Sequence, residues 1–472
     1  MSALVFESLL STPEMIEVFS ETAVVQAMLD FEAALARAQS DEGVIPPTAG
    51  PAIVGVCKSE LYDLRSLVGA SARAGSLAIP LVKKLTETVA LFDADAAGYV
   101  HWGSASQDAV DTAMVLCLRR ALALLDRDLT TLTAALLTLA QRHREAPVLG
   151  RTLMQPAQVL SVDFKLAGWI APLVRSQQRL RAAGAAALRL QLGGAVGTLA
   201  AMGEKAPAVV QRVAQSLQIA TAPAAWHTQR DELVSLACEV GVLTGTLGKI
   251  AKDVSLMAQG EIGEMSEPSG GGGRGGSSAM PHKRNPVAAM IALAASLRVP
   301  HRVSALLAAM AQEHERGLGN WQAELAEVAG LFIAAHGAVK ALADVAGGLQ
   351  VDTPRMRRNI DGQQGLVFAE AVAILFARRI GKARAHGLLE QLSQQAVASG
   401  RHLRELTLEA CASDDTLRGH FSADDVAGLF DADGAARHAS ALAAPQLESL
   451  AQTAASLAQR PPWAAWLETK EV

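Results

Sequence analysis

Asp111–Ala146, DTAMVLCLRRALALLDRDLTTLTAALLTLAQRHREA, runs without a glycine or a proline. At about 1.5 Å per residue such a run makes a helix roughly 50 Å long. Leucine, alanine and arginine fill it, residues that lose little freedom in a helix. Four more stretches of helical pattern follow, at about 157–191, 229–258, 286–315 and 322–348. Pro172 and Pro300 fall inside two of them, where each removes a backbone bond and predicts a kink. Gly241, Gly245 and Gly248 permit close helix contacts. Five helices of this length predict an extended bundle rather than a compact globule. Their apolar residues occupy more than one face, so the bundle is expected to bury itself against partner subunits. No strand alternation of comparable length occurs, and the fold class is all-α.

On either side of the bundle the pattern changes. Residues 1–108 mix short helical patterns with turns, Ser11-Thr12-Pro13-Glu14 marking one helix start and Ala23–Gln39 carrying helical spacing. These form an N-terminal helical domain; 109–350 is the central bundle, with a lid at 260–286. From Val351-Asp352-Thr353-Pro354 onward shorter helices joined by Asp- and Gly-containing turns make a small C-terminal domain, 351–472, whose Pro-Pro-Trp ending looks peripheral.

Composition narrows the function. Of 472 residues, half are apolar and only 4% aromatic, as expected of packed helices rich in small side chains. A net charge of −5 with no polybasic stretch points away from nucleic acid. Cys57, Cys117, Cys238 and Cys411 form no CxxC pair and the histidines no HExxH spacing, so a reduced, cytoplasmic protein without structural metal is expected. The opening MSALVFESLLSTPEM has no basic n-region and does not read as a secretory signal. Apolar segments such as Leu132–Ala140 are short and flanked by charge, so none is expected to span a membrane.

The densest polar cluster is Gly270–Pro286, GGGGRGGSSAMPHKRNP. The glycines allow a mobile lid. Ser277, Ser278, Lys283 and Asn285 then stand within nine residues of one another. Asn285-Pro286 reads as a helix start, a capping side chain followed by proline at the first helical position. Its N–H groups and dipole would face an anion. This is neither a P-loop nor a dinucleotide fingerprint, since no Gly-Lys-Ser/Thr follows and no strand precedes. Two further polar islands sit in apolar surroundings, SASQDAVDTAM at Ser104–Met114 and GRTLMQPAQ at Gly150–Gln158. Asp108 and Asp111 suit either catalysis or the acidic first turn of the long helix.

GSSAMPHKRNP resembles the signature of the fumarase/aspartase superfamily, which includes adenylosuccinate lyases, argininosuccinate lyases and carboxymuconate cycloisomerases. SASQDAVDTAM and GRTLMQPAQ resemble its other two shared regions. With HWGSASQD, GAVGTLAAMGEKA (Gly194–Ala206), WHTQRD (Trp226–Asp231) and QEHERGLGNW (Gln312–Trp321), the resemblance is to the cycloisomerase members and covers most of the chain.

The resemblance implies three domains, five long helices per subunit in a twenty-helix tetramer core, and sites built from three subunits. It implies proton transfer next to a carboxylate through an aci-carboxylate, without a cofactor, on a small tricarboxylate-type substrate. Ser277 would be the general base or acid, with Lys283 beside it; both are the catalytic candidates. Unaided, a serine is too weakly acidic, so the helix terminus and Lys283 or Arg284 would have to activate it. Ser104, Ser106, Thr152, Gln155, Ser278, Met280, Asn285, His101 and Arg316 would bind substrate, while His227, Arg230 and Trp321 would position it or a neighbouring subunit. His282 would line the lid. His101 has an equal rival role as a hydrogen-bonded core histidine beside Trp102.

Departures from the pattern are informative. Ser76 stands where an asparagine is expected, and the glycine run is long. Leu153 occupies the place where amine-expelling lyases carry a histidine. A carboxylate, with a pKa near about 4, needs no such acid when it adds to or leaves a carbon–carbon double bond. Leu153 thus favours lactone formation from a muconate over an adenylosuccinate-type lyase reaction.

Overall fold

A computed structural model of the chain describes residues 5–268, 275–276, 280 and 282–467. The longest helix of the N-terminal segment is α1, Glu21–Asp41, whose Ser20 cap accepts from Ala23 N–H; four shorter helices between Ala49 and Ala97 follow it. Thr12 likewise caps the short helix begun by Pro13. Five long helices then form the bundle: α2 Ser106–Arg142, α3 Val162–Ala187, α4 Asp231–Met257, α5 Val287–Ala309 and α6 Asn320–Ala346. α2 carries the glycine-free run and starts five residues earlier than Asp111, because Asp108 turns back to accept from Ala105 N–H. Pro172 and Pro300 each lie inside a continuous helix.

The expected helix from about 157 is not uniform. Pro147–Thr152 (β1) and Gln155–Ser161 (β2) form an antiparallel hairpin, with Pro147 opposite Ser161, Thr152 opposite Gln155 and a bulge at Gly150/Arg151. Only at Ser161, whose hydroxyl accepts from Phe164 N–H, does α3 begin. A second, two-residue pairing joins Met265–Ser266 to Gln350–Val351. These are small additions to an all-helical molecule.

One apolar core runs from Met15 through the bundle to Met356 and takes in α1, so the N-terminal segment and the bundle share an interior. Gly248 lets α4 and α5 approach closely, since a Cβ there would stand 2.5 Å from Ser296 Cβ, whereas Gly245 faces open space. A separate core, Val372 to Val426, belongs to the helices that include α7, Ala369–Ile380, and α8, Lys382–Ser399. The chain then returns: α9, Ala432–Gln459, packs on the bundle. The Pro-Pro-Trp ending is not peripheral. Trp463 is buried against Gly184, and the Arg119 guanidinium lies 3.3 Å over the Trp466 ring.

Three helices, α4, α5 and α6, are long and apolar enough by length and composition to cross a membrane, contrary to the expectation that apolar segments would be short. Their apolarity comes from alanine, valine and leucine spread around the helix rather than from one compact run. α4 and α6 bury most of it inside the bundle; the most apolar window of α5 is only 22% buried. Met290, Leu297 and Leu307 of α5 stand exposed.

Candidate active site

At the N-terminal end of α2, four loops converge on two acids. Asp108 is fully buried and accepts from Gly193 N–H (3.1 Å), Gly194 N–H (2.9 Å), Ser104 Oγ (3.3 Å) and His227 Nε2 (2.6 Å). Asp111, one turn on, accepts from Trp321 Nε1 (2.9 Å), Gln107 Nε2 (3.1 Å) and both terminal nitrogens of Arg230 (2.8 and 3.1 Å). The buried Arg230 also donates to both oxygens of Glu324 on α6. Burial by itself would weaken the guanidinium's hold on its proton, but Asp111 and Glu324 outweigh that and raise its pKa. With every oxygen engaged, Asp108 and Asp111 act as ties between segments rather than as reactive carboxylates.

That scaffold presents the first group of candidates. His101 and Ser104 lie half-buried on the loop leading into α2, and half-buried Ser106 is its first residue. His101 takes a positive φ of 59°, and its Nδ1 lies 2.6 Å from Glu32 on α1. Glu32 is buried and its other oxygen has no hydrogen-bond partner among the described residues. Burial alone would lower the His101 pKa; Glu32, with Asp108 adding, holds it above the ordinary value. Its Nε2 makes no hydrogen bond to any described residue. Arg316 reaches in from the loop between α5 and α6, donating to Gln107 Oε1 (3.0 Å), Gly194 O (2.5 Å) and Ala195 O (3.2 Å). Burial pulls its pKa down, with Asp108 and Asp111 opposing. His227, Arg230 and Trp321 are buried beneath this surface and position it rather than touching solvent.

The second group stands at the other end of the bundle. Thr152 and Gln155 are exposed and flank the hairpin turn, whose central residues Leu153 and Met154 both take positive φ, 50° and 68°. Leu153 is 97% exposed. Arg151 fixes the hairpin from below through a two-point contact with buried Glu264 (2.7 and 2.9 Å).

The third group shares that end. Lys283 is exposed and has no acid partner among the described residues, Asn285 donates its backbone N–H to Gly275 O (2.8 Å), and Met280 is 43% exposed. Ser277 and Ser278 lie outside the described residues. The helix terminus departs from expectation. Asn285 does not cap α5; the carboxylate of Glu267 accepts from Ala288 N–H (3.0 Å) and Ala289 N–H (2.8 Å), so an internal anion already occupies the positive end of the dipole.

Within one chain, then, His101, Ser104, Ser106 and Arg316 come together, while Thr152, Gln155, Met280, Lys283 and Asn285 stand beyond the opposite end of α2. With 37 residues, α2 spans about 55 Å. Sequence inspection missed Gln107, Gln191, Glu267 and Glu324, whose partners (Asp111 for the two glutamines, Arg230 for Glu324, the Ala288 and Ala289 N–H groups for Glu267) come close only in the folded chain. Glu32 did leave a sign, an acid set among the apolar positions Met28, Phe31 and Leu35.

For a metal, one group among the described residues brings ligand-type atoms within 4.8 Å, Glu14, Asp128 and His336. Arg127 already donates to both of those carboxylates, and the His336 ring nitrogens are engaged by Thr12 and Asp128. The donor set is therefore an ion-pair cluster satisfied from within.

A family profile described as lyase matches residues 9–300. The chain is 46% identical over 423 residues to a 3-carboxy-cis,cis-muconate cycloisomerase of Bradyrhizobium diazoefficiens, covering 90% of this chain and 93% of that protein. It is 48% identical over 426 residues to a protein of the same name from Pseudomonas aeruginosa, covering 90% and 92%. The crystal structure of the 3-carboxy-cis,cis-muconate lactonizing enzyme from Pseudomonas putida superposes with a TM-score of 0.87 at 42% identity, over 95% of this chain and 99% of that one.

Proposed function

The chain belongs to the lyase family of the fumarase/aspartase superfamily, and on that footing we propose that it is a cycloisomerase acting on 3-carboxy-cis,cis-muconate. The observation that carries this is the 46–48% identity to two cycloisomerases across nine tenths of the chain. The enzyme is an intramolecular lyase. A substrate carboxylate adds to the conjugated diene, the adjacent carbon is protonated, and a carboxymuconolactone results, a step of protocatechuate breakdown. Leu153 supports the assignment, because an apolar residue at the hairpin tip suits a reaction whose entering group is a carboxylate and needs no acid there.

The negative charge that develops next to the substrate carboxylate calls for fixed positive charge and donors. Lys283, exposed and without an acid partner among the described residues, and Arg316 are suited to supply it. Ser277, or a group near it, delivers the proton. With Glu267 on the terminus of α5, the activation of Ser277 falls to Lys283, Arg284 and lid N–H groups rather than to the helix dipole.

The working unit in this proposal is a homotetramer that joins the two ends of the bundle from different subunits. Support comes from the separation of the candidate groups along α2 and from the exposed apolar side of α5, which another subunit's helices would cover. The tetramer works in the cytoplasm, a compartment that suits four unpaired cysteines. The proposal assigns it neither a nucleic-acid nor a membrane partner.

An ultraviolet assay tests the reaction. Purified protein is offered 3-carboxy-cis,cis-muconate and, separately, adenylosuccinate and argininosuccinate. Rapid loss of diene absorbance with the first alone is expected. Turnover of adenylosuccinate instead would overturn the assignment and the argument from Leu153.

A further inference from the structure

A cavity of about 1330 Å³ opens between the hairpin and the C-terminal helices. Thr152 and Lys165 line one wall; Arg378 of α7 and Lys382 and His386 of α8 line the other. The one acid among its described lining residues, Glu370, is already engaged by Gln158 Nε2. Lys165 is half-buried in the first turn of α3 and makes no hydrogen bond or ion pair with any described residue. Burial pulls its pKa below the ordinary lysine value, Asp253 offsetting part of that while Lys249 and Arg151 add to it. Arg378, Lys382 and His386 are also without acid partners among the described residues. A solvated surface lysine would pay no desolvation; a half-buried one does, and an anion in the cavity is what would repay it.

Low-dielectric walls concentrate the field of such groups and raise the local concentration of anions. The volume suits a small molecule with room for water. We propose that this cavity is the landing site for the polycarboxylate substrate, with Lys165 as inner anchor and Arg378 and Lys382 as the outer rim, leading along Thr152 to the hairpin tip. The proposal rests on the cycloisomerase assignment for the identity of the substrate and on the cavity's unpaired cations for its location.

The test measures kcat and KM for 3-carboxy-cis,cis-muconate at about 20 and about 200 mM salt, on either side of strong screening. It compares wild type, Lys165→Met, and the pair Arg378→Ala with Lys382→Ala. Both variants are expected to lose about tenfold in kcat/KM at low salt, carried by KM, and most of the salt dependence. Wild-type values and an unchanged salt slope in both would overturn the proposal. Should Lys165→Met fail to fold, the exposed pair on α7 and α8 decides alone. Calorimetry with tricarballylate separates the two assignments. If wild type does not turn over the muconate, the cycloisomerase assignment fails. The landing site then stands if tricarballylate binds wild type and binds the variants at least about tenfold more weakly, and falls if binding is equal or absent.

Discussion

His101 shows how one buried acid can set the chemistry of a loop. Glu32 holds the imidazole at 2.6 Å and overcomes the effect of burial, so its folded pKa lies above the unfolded value of about 6.5. The pair's contribution to stability is therefore complete below about pH 6.5 and is lost as pH rises through the higher folded value. Glu32→Gln should lower the His101 titration midpoint, read from the ring resonances in NMR, and should flatten stability over that window. An unmoved midpoint would mean that Glu32 does not govern the ring. Leu153 and Met154 offer a different test. Both hold positive φ at the centre of a two-residue turn, a place normally taken by Asn-Gly, and both are exposed. Leu153→Asn with Met154→Gly should therefore stabilise the protein by about 1 kcal/mol in denaturant unfolding. If the tip serves the reaction, the same change should depress kcat/KM. Gain in both would assign the strain no role in turnover.

Helix α5 begins on a borrowed cap. Glu267 directly follows the short strand Met265–Ser266, and its two bonds to Ala288 and Ala289 tie that segment to the helix on the far side of the Gly270–Pro286 stretch. Glu267→Ala should cost about 1 kcal/mol and speed amide exchange at 288 and 289, whereas Glu267→Gln, which keeps an acceptor, should cost less. Equal protection in all three proteins would show the cap to be idle. This cap also marks where inference from sequence stopped. The five long helices were legible because an unbroken apolar pattern needs no partner to be recognised. The polar islands at Ser104–Met114, Gly150–Gln158 and Gly270–Pro286 were legible because polar side chains stand out against that pattern. Asn285-Pro286 carries every local sign of a helix start, yet a carboxylate eighteen residues upstream takes the position, by a contact that spacing cannot reveal. The hairpin was hidden for a similar reason. Its turn is made by Leu153 and Met154, which give no turn signal, and its strands are only six and seven residues long. The ties from Asp111 to Gln191, Arg230 and Trp321 cross 80 to 210 positions and exist only once the bundle has closed.

Seen entire, the chain holds its candidate groups at the two ends of α2, and the proposed tetramer would join them from different subunits. Mixing tests this. A tetramer of Ser104→Ala/Ser106→Ala subunits and one of Lys283→Ala subunits should each be nearly inactive. Unfolding and reassembling them together should restore a fraction of wild-type turnover, because some mixed sites draw every intact group from a different chain. No recovery, with mixed tetramers verified by mass spectrometry, would place all the groups of a site on one subunit. The exposed side of α5 has a further implication for how the protein comes into being. A newly folded subunit displays Met290, Leu297 and Leu307 on a helix apolar enough to pass for a membrane segment. In the proposed tetramer other subunits cover that side; until they do, it is as attractive to misfolded neighbours, chaperones and lipid as to the right partner. On that proposal, biogenesis is a race between ordered pairing and adhesion, and the level at which a cell makes this chain would set which of the two wins.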